Sequence, residues 1–318
     1  MSLVEKALNK LKASTPAPAT RLEPRPSVRI GRVVDVERAK TDAAALPQPR
    51  AALGNGLRIV RIDVAALREN GFLPPEQNER ELAHQFRTIK RPLIRHAFPS
   101  DSTGFGLTPS TGRSIMVSSA LPGEGKTFTA VNLALSLAME KDHSVLLVDG
   151  DVAKPNISQI FGAGNEPGLL ELLADATRSV ESVLLSTDTP RLSLLPAGQP
   201  SEVATELLAS ARMRQVLERM ERLDPHLLIV FDSPPILLTS EARVLAGLFE
   251  QVVLVVRAGE TQQQAVLDAI EAIGEKPGLR LVLNQVHRAG AAGNYYGYGH
   301  VYGYAAGDAT KSTQTGNT

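Results

Sequence analysis

The chain contains no cysteine among its 318 residues. This absence excludes disulfides, thiolate metal sites and iron–sulfur ligation, and it is typical of a protein that works in a reducing cytoplasm. Long apolar runs are also missing, because none approaches the roughly 18 residues that a membrane span requires. The first residues, MSLVEKALNKLK, lack the apolar stretch of a secretory signal peptide. We therefore expect a cytoplasmic protein that associates with an inner membrane only through a partner.

An excess of charge of one sign is absent as well, since 34 Lys and Arg residues balance 34 Asp and Glu residues. A chain with zero net charge has no general attraction for nucleic acid, so we expect no nucleic-acid partner.

Tyrosine is scarce, and every tyrosine lies in the stretch NYYGYGHVYGY. These five residues are Tyr295, Tyr296, Tyr298, Tyr302 and Tyr304. Taken alone, such a Gly-laced stretch is typical of a low-complexity tail.

Composition divides the chain into four segments. Residues 1–12 have apolar residues at helical spacing with lysines beside them, which predicts a short amphipathic helix. Residues 13–57 are rich in proline and basic residues, and we interpret them as a flexible linker. Residues 58–286 have the composition of a folded domain, and residues 287–318 form a flexible tail. The basic N-terminal part either stays solvated or docks on a partner or an anionic membrane surface.

Six near-continuous apolar runs alternate with helical stretches in the predicted domain. The runs lie at 114–120, 144–150, 192–198, 226–232, 251–259 and 279–285, and the helical stretches lie near 126–140, 168–174, 201–222, 240–248 and 261–273. A charged surface helix is predicted before them at residues 76–91, ended by Pro92. Apolar runs of this kind are typical of parallel strands buried on both faces. The alternation predicts a doubly wound α/β fold with a mostly parallel sheet, whose functional groups lie at the carboxyl ends of the strands.

A phosphate-loop motif, ALPGEGKT, follows the first of these runs and precedes a helical stretch. Gly123 and Gly125 allow the backbone to curl, so that its N–H groups can surround phosphate oxygens at the helix N-terminus. Lys126 can reach the same oxygens, and Thr127 can offer its hydroxyl to Mg²⁺. The motif predicts a P-loop NTPase site that binds ATP. The predicted nucleotide-binding residues are Gly123, Glu124, Gly125, Lys126, Thr127 and Phe128.

Two further predicted strands end in acids. VLLVDGD carries Asp149 and Asp151, and LLIVFD carries Asp232. A carboxylate at this position beside a phosphate loop can hold Mg²⁺ or its waters, so we predict Thr127, Asp151 and Asp232 as the metal-binding set. The alternative is an acidic turn residue or helix cap. Asp149 could instead accept the proton of an attacking hydroxyl. The catalytic candidates are thus Lys126 and the three acids.

Three stretches, SSALPGEGKT, VLLVDGDVAKP and IVFDSPP, together resemble the nucleotide motifs of the bacterial tyrosine kinases. These enzymes are P-loop ATPases of the deviant Walker (MinD/ParA-like) type, and the second motif, with two acids, is the most diagnostic. NYYGYGHVYGY resembles the tyrosine cluster at the end of such kinases. The resemblance covers roughly residues 76–304.

The resemblance implies a role for each motif residue. Lys126 and Thr127 correspond to the residues that bind phosphate and Mg²⁺, Asp149 and Asp151 to the two acids of the second motif, and Asp232 to the acid of the third. It also implies that ATP is used to autophosphorylate the clustered tyrosines between neighbouring molecules.

Two short stretches, MSLVEKAL and VLNQ, further resemble the subgroup found with exopolysaccharide and exosortase loci. In that subgroup the kinase is a separate chain, activated by a membrane-embedded polysaccharide co-polymerase. The expected partners are that activator, further copies of this chain in a homo-oligomer, and a cognate tyrosine phosphatase.

The family's subunit-joining motif, Glu-x-x-Arg-x-x-Arg, is best placed on His84, Arg87 and Lys90, where only Arg87 matches. The chain thus departs from the family's ring contact at two of three positions.

Two other functions stay open. A positioning or partition ATPase of the same fold usually has a Lys early in the loop, where this chain has Leu121. A nucleotide-binding scaffold that regulates a polysaccharide assembly machine would not need the complete set of acids. Formation of phosphotyrosine with ATP and Mg²⁺ separates a kinase from both.

Overall fold

The computed structural model describes the backbone of residues 32–35 and, in full, residues 58–99 and 111–286, apart from the side chain of residue 111. The helix predicted at residues 1–12, most of the predicted linker and the tail at residues 287–318 lie outside these residues. Within the segment predicted as a linker, residues 32–35 form a strand.

The described residues contain nine strands and nine α-helices. The strands are β1 (Arg32–Asp35), β2 (Arg58–Arg61), β3 (Ser114–Ser119), β4 (Ser144–Asp149), β5 (Leu185–Thr187), β6 (Leu192–Leu195), β7 (Leu227–Asp232), β8 (Gln251–Arg257) and β9 (Gly278–Asn284). The helices are α1 (Val64–Glu69), α2 (Glu79–Ala97), α3 (Lys126–Ala138), α4 (Asn156–Ile160), α5 (Leu169–Ala174), α6 (Ala204–Leu208), α7 (Ala211–Glu221), α8 (Ser240–Ala246) and α9 (Gln263–Ile273).

These strands form one sheet in the order β1-β2-β5-β6-β4-β7-β3-β8-β9. The six strands from β6 to β9 in this order are all parallel to one another. β1 pairs with β2, and β5 with β6, in antiparallel fashion. Every residue of β3, β4 and β7 is buried, as continuous apolar runs predict for central parallel strands. The predicted doubly wound α/β fold with a mostly parallel sheet is therefore confirmed.

Helices cover both faces of this sheet. Because successive side chains of a strand point to opposite faces, Ile115 and Val117 pack with residues of α1–α4, while Met116 packs with residues of α5–α9. Each face thus has its own apolar core. The loops that connect strands and helices lie at the ends of the strands, where polar side chains from different loops can come close together.

The prediction that Pro92 ends the surface helix is wrong, because α2 continues to Ala97. Proline removes one helical hydrogen bond and normally disfavours a helix interior. Here Leu93 and Ala97 are fully buried beyond the proline, and the carbonyl of Leu93 accepts a hydrogen bond from Gln251 Nε2 at 3.1 Å. Tertiary packing therefore outweighs the local preference of the proline.

The helical stretch predicted at 201–222 is in fact two helices, α6 and α7, because Ser210 has an extended backbone with ψ 157°.

The sequence did not predict strands β1, β2 and β5, since strands of three or four residues show little periodicity. In the part of the chain that the structure describes, no helix is both long and apolar enough to cross a bilayer.

Candidate functional site

The carboxyl ends of the central strands meet beside the phosphate loop. β4 and β7 are in register so that Asp149 lies opposite Asp232, and Asp232 also pairs with Val117 of β3. A cleft of about 540 Å³ opens here and includes Lys126 and Asp151 in its lining. Residues predicted from three separate motifs thus come together at one edge of the sheet.

The phosphate loop has the backbone that its glycines allow. Gly123 and Gly125 have φ values of +84° and +94°, in the left-handed region that other residues rarely adopt. A Cβ on Gly125 would also lie 2.0 Å from Asn284 Nδ2, so a side chain at this position would displace Asn284. Gly125 caps α3, whose first N–H groups have no carbonyl partner within the helix. The loop and the start of α3 therefore offer backbone donors to an anion at the cleft.

Lys126 is folded onto the acids of the site. Its Nζ lies 2.7 Å from Asp151 Oδ2 and 3.8 Å from Asp232 Oδ1. Burial alone would lower the pKa of Lys126, but the charges of Asp232 and Asp151 outweigh it, and the net pKa is raised. The ammonium group is therefore charged and paired with carboxylates.

Asp232 is fully buried beneath this lysine. Its Oδ2 accepts a hydrogen bond from Thr127 Oγ1 at 2.8 Å, while its Oδ1 accepts none from the described residues. Burial raises the pKa of Asp232 to about 6, in opposition to the attraction of Lys126. The predicted pair of Thr127 and Asp232 is thus in direct contact.

Asp149 is held by a residue that sequence inspection missed. The backbone N–H and the hydroxyl of Ser158 both donate to Asp149 Oδ2, each at 2.7 Å. Oδ1 of Asp149 accepts no hydrogen bond from the described residues. Burial, and after it the charge of Asp232, raises the pKa of Asp149 to about 7. One oxygen is therefore fixed, and the other remains available as an acceptor.

The charges of the site suit a divalent cation. Of the three carboxylates, two pair with the one ammonium group, and two buried carboxylate oxygens accept no hydrogen bond from the described residues. Among the described residues, no group of three or more acids or histidines forms a metal site on its own. This is the arrangement expected where Mg²⁺ takes one or two carboxylates from the protein and further oxygens from phosphates and water. Thr127, Asp151 and Asp232 are the residues that could hold such an ion.

The two remaining predicted nucleotide-binding residues differ in their orientation. The carboxylate of Glu124 is buried and accepts hydrogen bonds from Leu121 N at 2.8 Å and from the hydroxyl of Thr261. Glu124 therefore shapes the loop with its side chain and has only its backbone to offer a nucleotide. Phe128, in contrast, lines the cleft.

The cleft also contains residues outside the predicted motifs. Asn284, at the end of β9, donates from Nδ2 to the carbonyl of Glu124 at 2.9 Å, and Gln285 follows it with a φ of +55°. Gly71 and Phe72 line the cleft from the segment between α1 and α2. Apart from the noted VLNQ stretch, nothing in their sequence pattern indicates this position, because it depends on contacts between distant parts of the chain.

The three candidate residues of the ring motif lie on α2. His84 and Arg87 are exposed, but Lys90 is buried, where its Nζ donates to the carbonyl of Ser136 at 2.5 Å and pairs with Glu140 at 2.8 Å. Lys90 therefore serves an internal contact. The five tail tyrosines lie outside the residues that the structure describes.

Comparison with known proteins agrees with this geometry. Residues 112–274 match the model of an AAA domain. The tyrosine-protein kinase YwqD of Bacillus subtilis (strain 168) is 34% identical over 161 residues, which are 51% of this chain and 66% of YwqD. The tyrosine-protein kinase CpsD of Streptococcus agalactiae is 30% identical over 206 residues, which are 64% of this chain and 88% of CpsD.

A solved structure shows the same architecture. The kinase domain of Escherichia coli tyrosine kinase ETK is 27% identical, with a TM-score of 0.53, over 67% of this chain and 80% of that domain. The chain spans just under two thirds of YwqD and 25% of a larger relative, the tyrosine-protein kinase ptk of Acinetobacter johnsonii. P-loop ATPases bind a nucleotide together with a divalent cation, as the loop and the acids require. The chain belongs to the bacterial tyrosine-protein kinases, a family of P-loop ATPases.

Proposed function

We propose that this chain is an ATP-dependent protein-tyrosine autokinase that phosphorylates its own tail tyrosines in trans. The observation that carries the proposal is the cleft lined by the phosphate loop, Lys126, Thr127 and Asp151. Two further acids are fully buried next to this lining: Asp232, which accepts a hydrogen bond from Thr127, and Asp149, which lies opposite Asp232 in the sheet. The composition supports it, because every tyrosine of the chain lies in one segment, residues 295–304. The phosphorylated tail would regulate exopolysaccharide polymerisation or export.

Binding of ATP would use the loop and the lysine. The N–H groups of the loop and of the first turn of α3 would surround the β- and γ-phosphates. Lys126 would leave its contact with Asp151 and pair with phosphate oxygens, which compete for the same ammonium group. Thr127, Asp151 and Asp232 would hold Mg²⁺, which neutralises charge on the phosphates when it is bound.

Transfer would then require a group that takes the tyrosine proton. Tyrosine arrives protonated at neutral pH, because its ordinary pKa is about 10. We assign the acceptor role to Asp149, whose Oδ1 has no hydrogen-bond partner among the described residues and whose pKa of about 7 suits a base at neutral pH. The tyrosine oxygen bonds to the γ-phosphorus, the bond from that phosphorus to the β,γ-bridging oxygen breaks, and ADP leaves while the proton passes to Asp149.

The described part of the chain ends close to the cleft, since Asn284 and Gln285 line it. β9 ends at Asn284, which touches the phosphate loop, and Tyr295 follows 11 residues later. An extended segment of that length spans at most ~36 Å. The tail therefore has the length to leave its own domain and enter a neighbouring copy.

Partners follow from the same proposal. Phosphorylation in trans needs a second copy, and removal of the phosphates needs a tyrosine phosphatase. We further propose a membrane-embedded polysaccharide co-polymerase as the activator, which would bring the kinase to the inner membrane.

Phosphosite mapping tests this function. The full chain and Lys126→Met are each incubated with ATP and Mg²⁺ and then digested for mass spectrometry. We expect phosphotyrosine only between Tyr295 and Tyr304, and none in the variant, because the methionine cannot pair with the phosphates as proposed for Lys126. Phosphate release without phosphotyrosine would instead identify a non-kinase ATPase, and nucleotide binding without turnover would identify a nucleotide-binding scaffold.

A further inference from the structure

One wall of the cleft comes from outside the AAA-domain match. Residues 112–274 match that domain, but Gly71 and Phe72 line the same cleft as Lys126. They belong to residues 63–73, which we term the strap. The strap contributes no charged or hydrogen-bonding side chain at this point, only an aromatic ring.

The strap is built to hold a fixed conformation. Asp63 caps α1 by accepting a hydrogen bond from Ala66 N at 3.0 Å, and Leu67 is buried in the core. Gly71 turns the chain with a φ of +75° after the helix. The N–H group of Phe72 then donates back to the carbonyl of Leu67 at 2.8 Å. The backbone of Phe72 is therefore set by α1 itself.

Asn132 joins the strap to the phosphate-loop helix. Its Nδ2 donates to the carbonyls of Phe72 and Phe128, both at 2.8 Å. Asn132 is buried on α3, six residues after Lys126. Since both N–H groups of this amide are used to tie two cleft-lining residues together, Phe72 is fixed within a short distance of the first turn of α3.

The apolar ring of Phe72 favours contact with a nucleobase over contact with a phosphate. Phe72 packs partly against the core formed with α1–α4, and it is also a lining residue of the cleft. Phosphates gain nothing from an apolar ring, whereas a nucleobase stacks on one. We propose that Phe72 is the residue on which the purine base of the bound nucleotide stacks, with Asn132 as its positioning residue. This inference rests on the proposed nucleotide binding.

Ligands that differ only in the base test the assignment. We would measure the affinities of ADP, UDP and pyrophosphate for the full chain by calorimetry with Mg²⁺, since none of these ligands supports phosphoryl transfer. For Phe72→Ala we expect the Kd of ADP to rise about tenfold, the loss of one base stack. The Kd of pyrophosphate should not change, and that of UDP should rise less because a pyrimidine stacks over a smaller area.

Three outcomes would overturn the inference. They are an unchanged Kd for ADP, an equal rise for pyrophosphate, and a rise for UDP as large as that for ADP, which would place the ring against the ribose. A wild-type chain that binds neither ADP nor pyrophosphate would instead reject the proposed function. Phe98→Ala is the matched control, because Phe98 is also a half-buried phenylalanine but stacks on His143, and it is not part of the cleft lining.

A second variant gives a readout independent of affinity. The chain contains no tryptophan, so Phe72→Trp introduces a single fluorophore at the proposed stacking position. We expect ADP to quench its emission at an affinity close to that of the wild type, and pyrophosphate to leave the emission unchanged. Equal responses to both ligands would show that the ring senses the phosphate loop and not the base.

The role of Asn132 is tested by a double-mutant cycle. Asn132→Ala should weaken ADP binding about as much as Phe72→Ala, without changing pyrophosphate binding. The double variant should then lose no more than either single variant, because both changes remove the same contact. Additive losses would show that Asn132 acts on the nucleotide independently of Phe72.

Discussion

The charged side chains at the site include more carboxylates than ammonium groups. Asp149 and Asp232 are fully buried, Asp151 is nearly so, and Lys126 is the cation paired with the last two. The consequence is visible in the raised pKa values of Asp149 and Asp232. Such a cluster of buried carboxylates destabilises the free protein. A bound cation would reduce the repulsion between them.

The charge of Asp149 should make stability depend on pH. Its pKa rises from 3.8 to about 7 in the folded chain. Between these values the folded chain keeps a proton that the unfolded chain loses, so the free energy of unfolding falls as the pH rises. Each pKa unit corresponds to about 1.4 kcal/mol. We expect Asp149→Asn to be more stable than the wild type by a few kcal/mol at pH 8, and by clearly less at pH 5.

Urea unfolding at both pH values, with EDTA to remove metal ions, measures this difference. Glu181→Gln serves as control, because Glu181 is exposed and its replacement should change stability by no more than about 0.5 kcal/mol. Asp232, with a pKa of about 6, adds a slope of the same sign. An equal stability gain for Asp149→Asn at pH 5 and pH 8 would show that Asp149 is not protonated in the folded chain.

Residues that belong to a local motif could be predicted from the sequence, and those that act across the fold could not. Lys126 and Thr127 stand in a fixed spacing after a strand, and the structure places them with the acids. Ser158 and Asn132 have no such pattern. Ser158 acts on a residue nine positions earlier, and Asn132 on one sixty positions earlier, so only the folded chain shows these pairs.

Among the elements, the long buried strands were predictable and the short edge strands were not. β3, β4 and β7 are apolar throughout because both of their faces are covered. β5 has only three residues and owes its place to its neighbours. α2 shows the same dependence, since its last turn persists beyond Pro92 through burial of Leu93 and Ala97.

α2 is also tied to the end of the phosphate-loop helix by Lys90. Its ammonium group donates to the carbonyl of Ser136 in the last turn of α3 and pairs with Glu140. Lys90→Met keeps the apolar stem and removes both contacts. We expect a loss of about 1–3 kcal/mol in the free energy of unfolding, the usual contribution of a buried hydrogen bond to a charged group.

Chemical denaturation of Lys90→Met beside His84→Ala tests this contact. His84 lies on the exposed face of the same helix, so its replacement should change stability by no more than about 0.5 kcal/mol. If Lys90→Met is as stable as the wild type, the lysine is free to serve a contact between subunits instead.

At the scale of the whole molecule, the site depends on parts outside the matched AAA domain. The strap precedes that domain and supplies Phe72, while Asn284 follows it and touches the phosphate loop. The chain then runs on toward the tyrosine tail. The phosphate loop and the end of β9 therefore meet at one end of the sheet, although the sequence places them more than 150 residues apart.

This arrangement leads to a prediction about which molecule phosphorylates which tail. A chain with all five tail tyrosines changed to phenylalanine keeps its site but has no acceptor, because the protein has no other tyrosine. Lys126→Met keeps the acceptors but loses the lysine that we propose to bind phosphate. When the two are mixed with ATP and Mg²⁺, we expect phosphotyrosine on the Lys126→Met chain, at a rate that rises with the concentration of its partner. Neither chain should be labelled alone. If the wild type becomes labelled while the mixture does not, each tail enters the site of its own chain, and phosphorylation in trans is wrong.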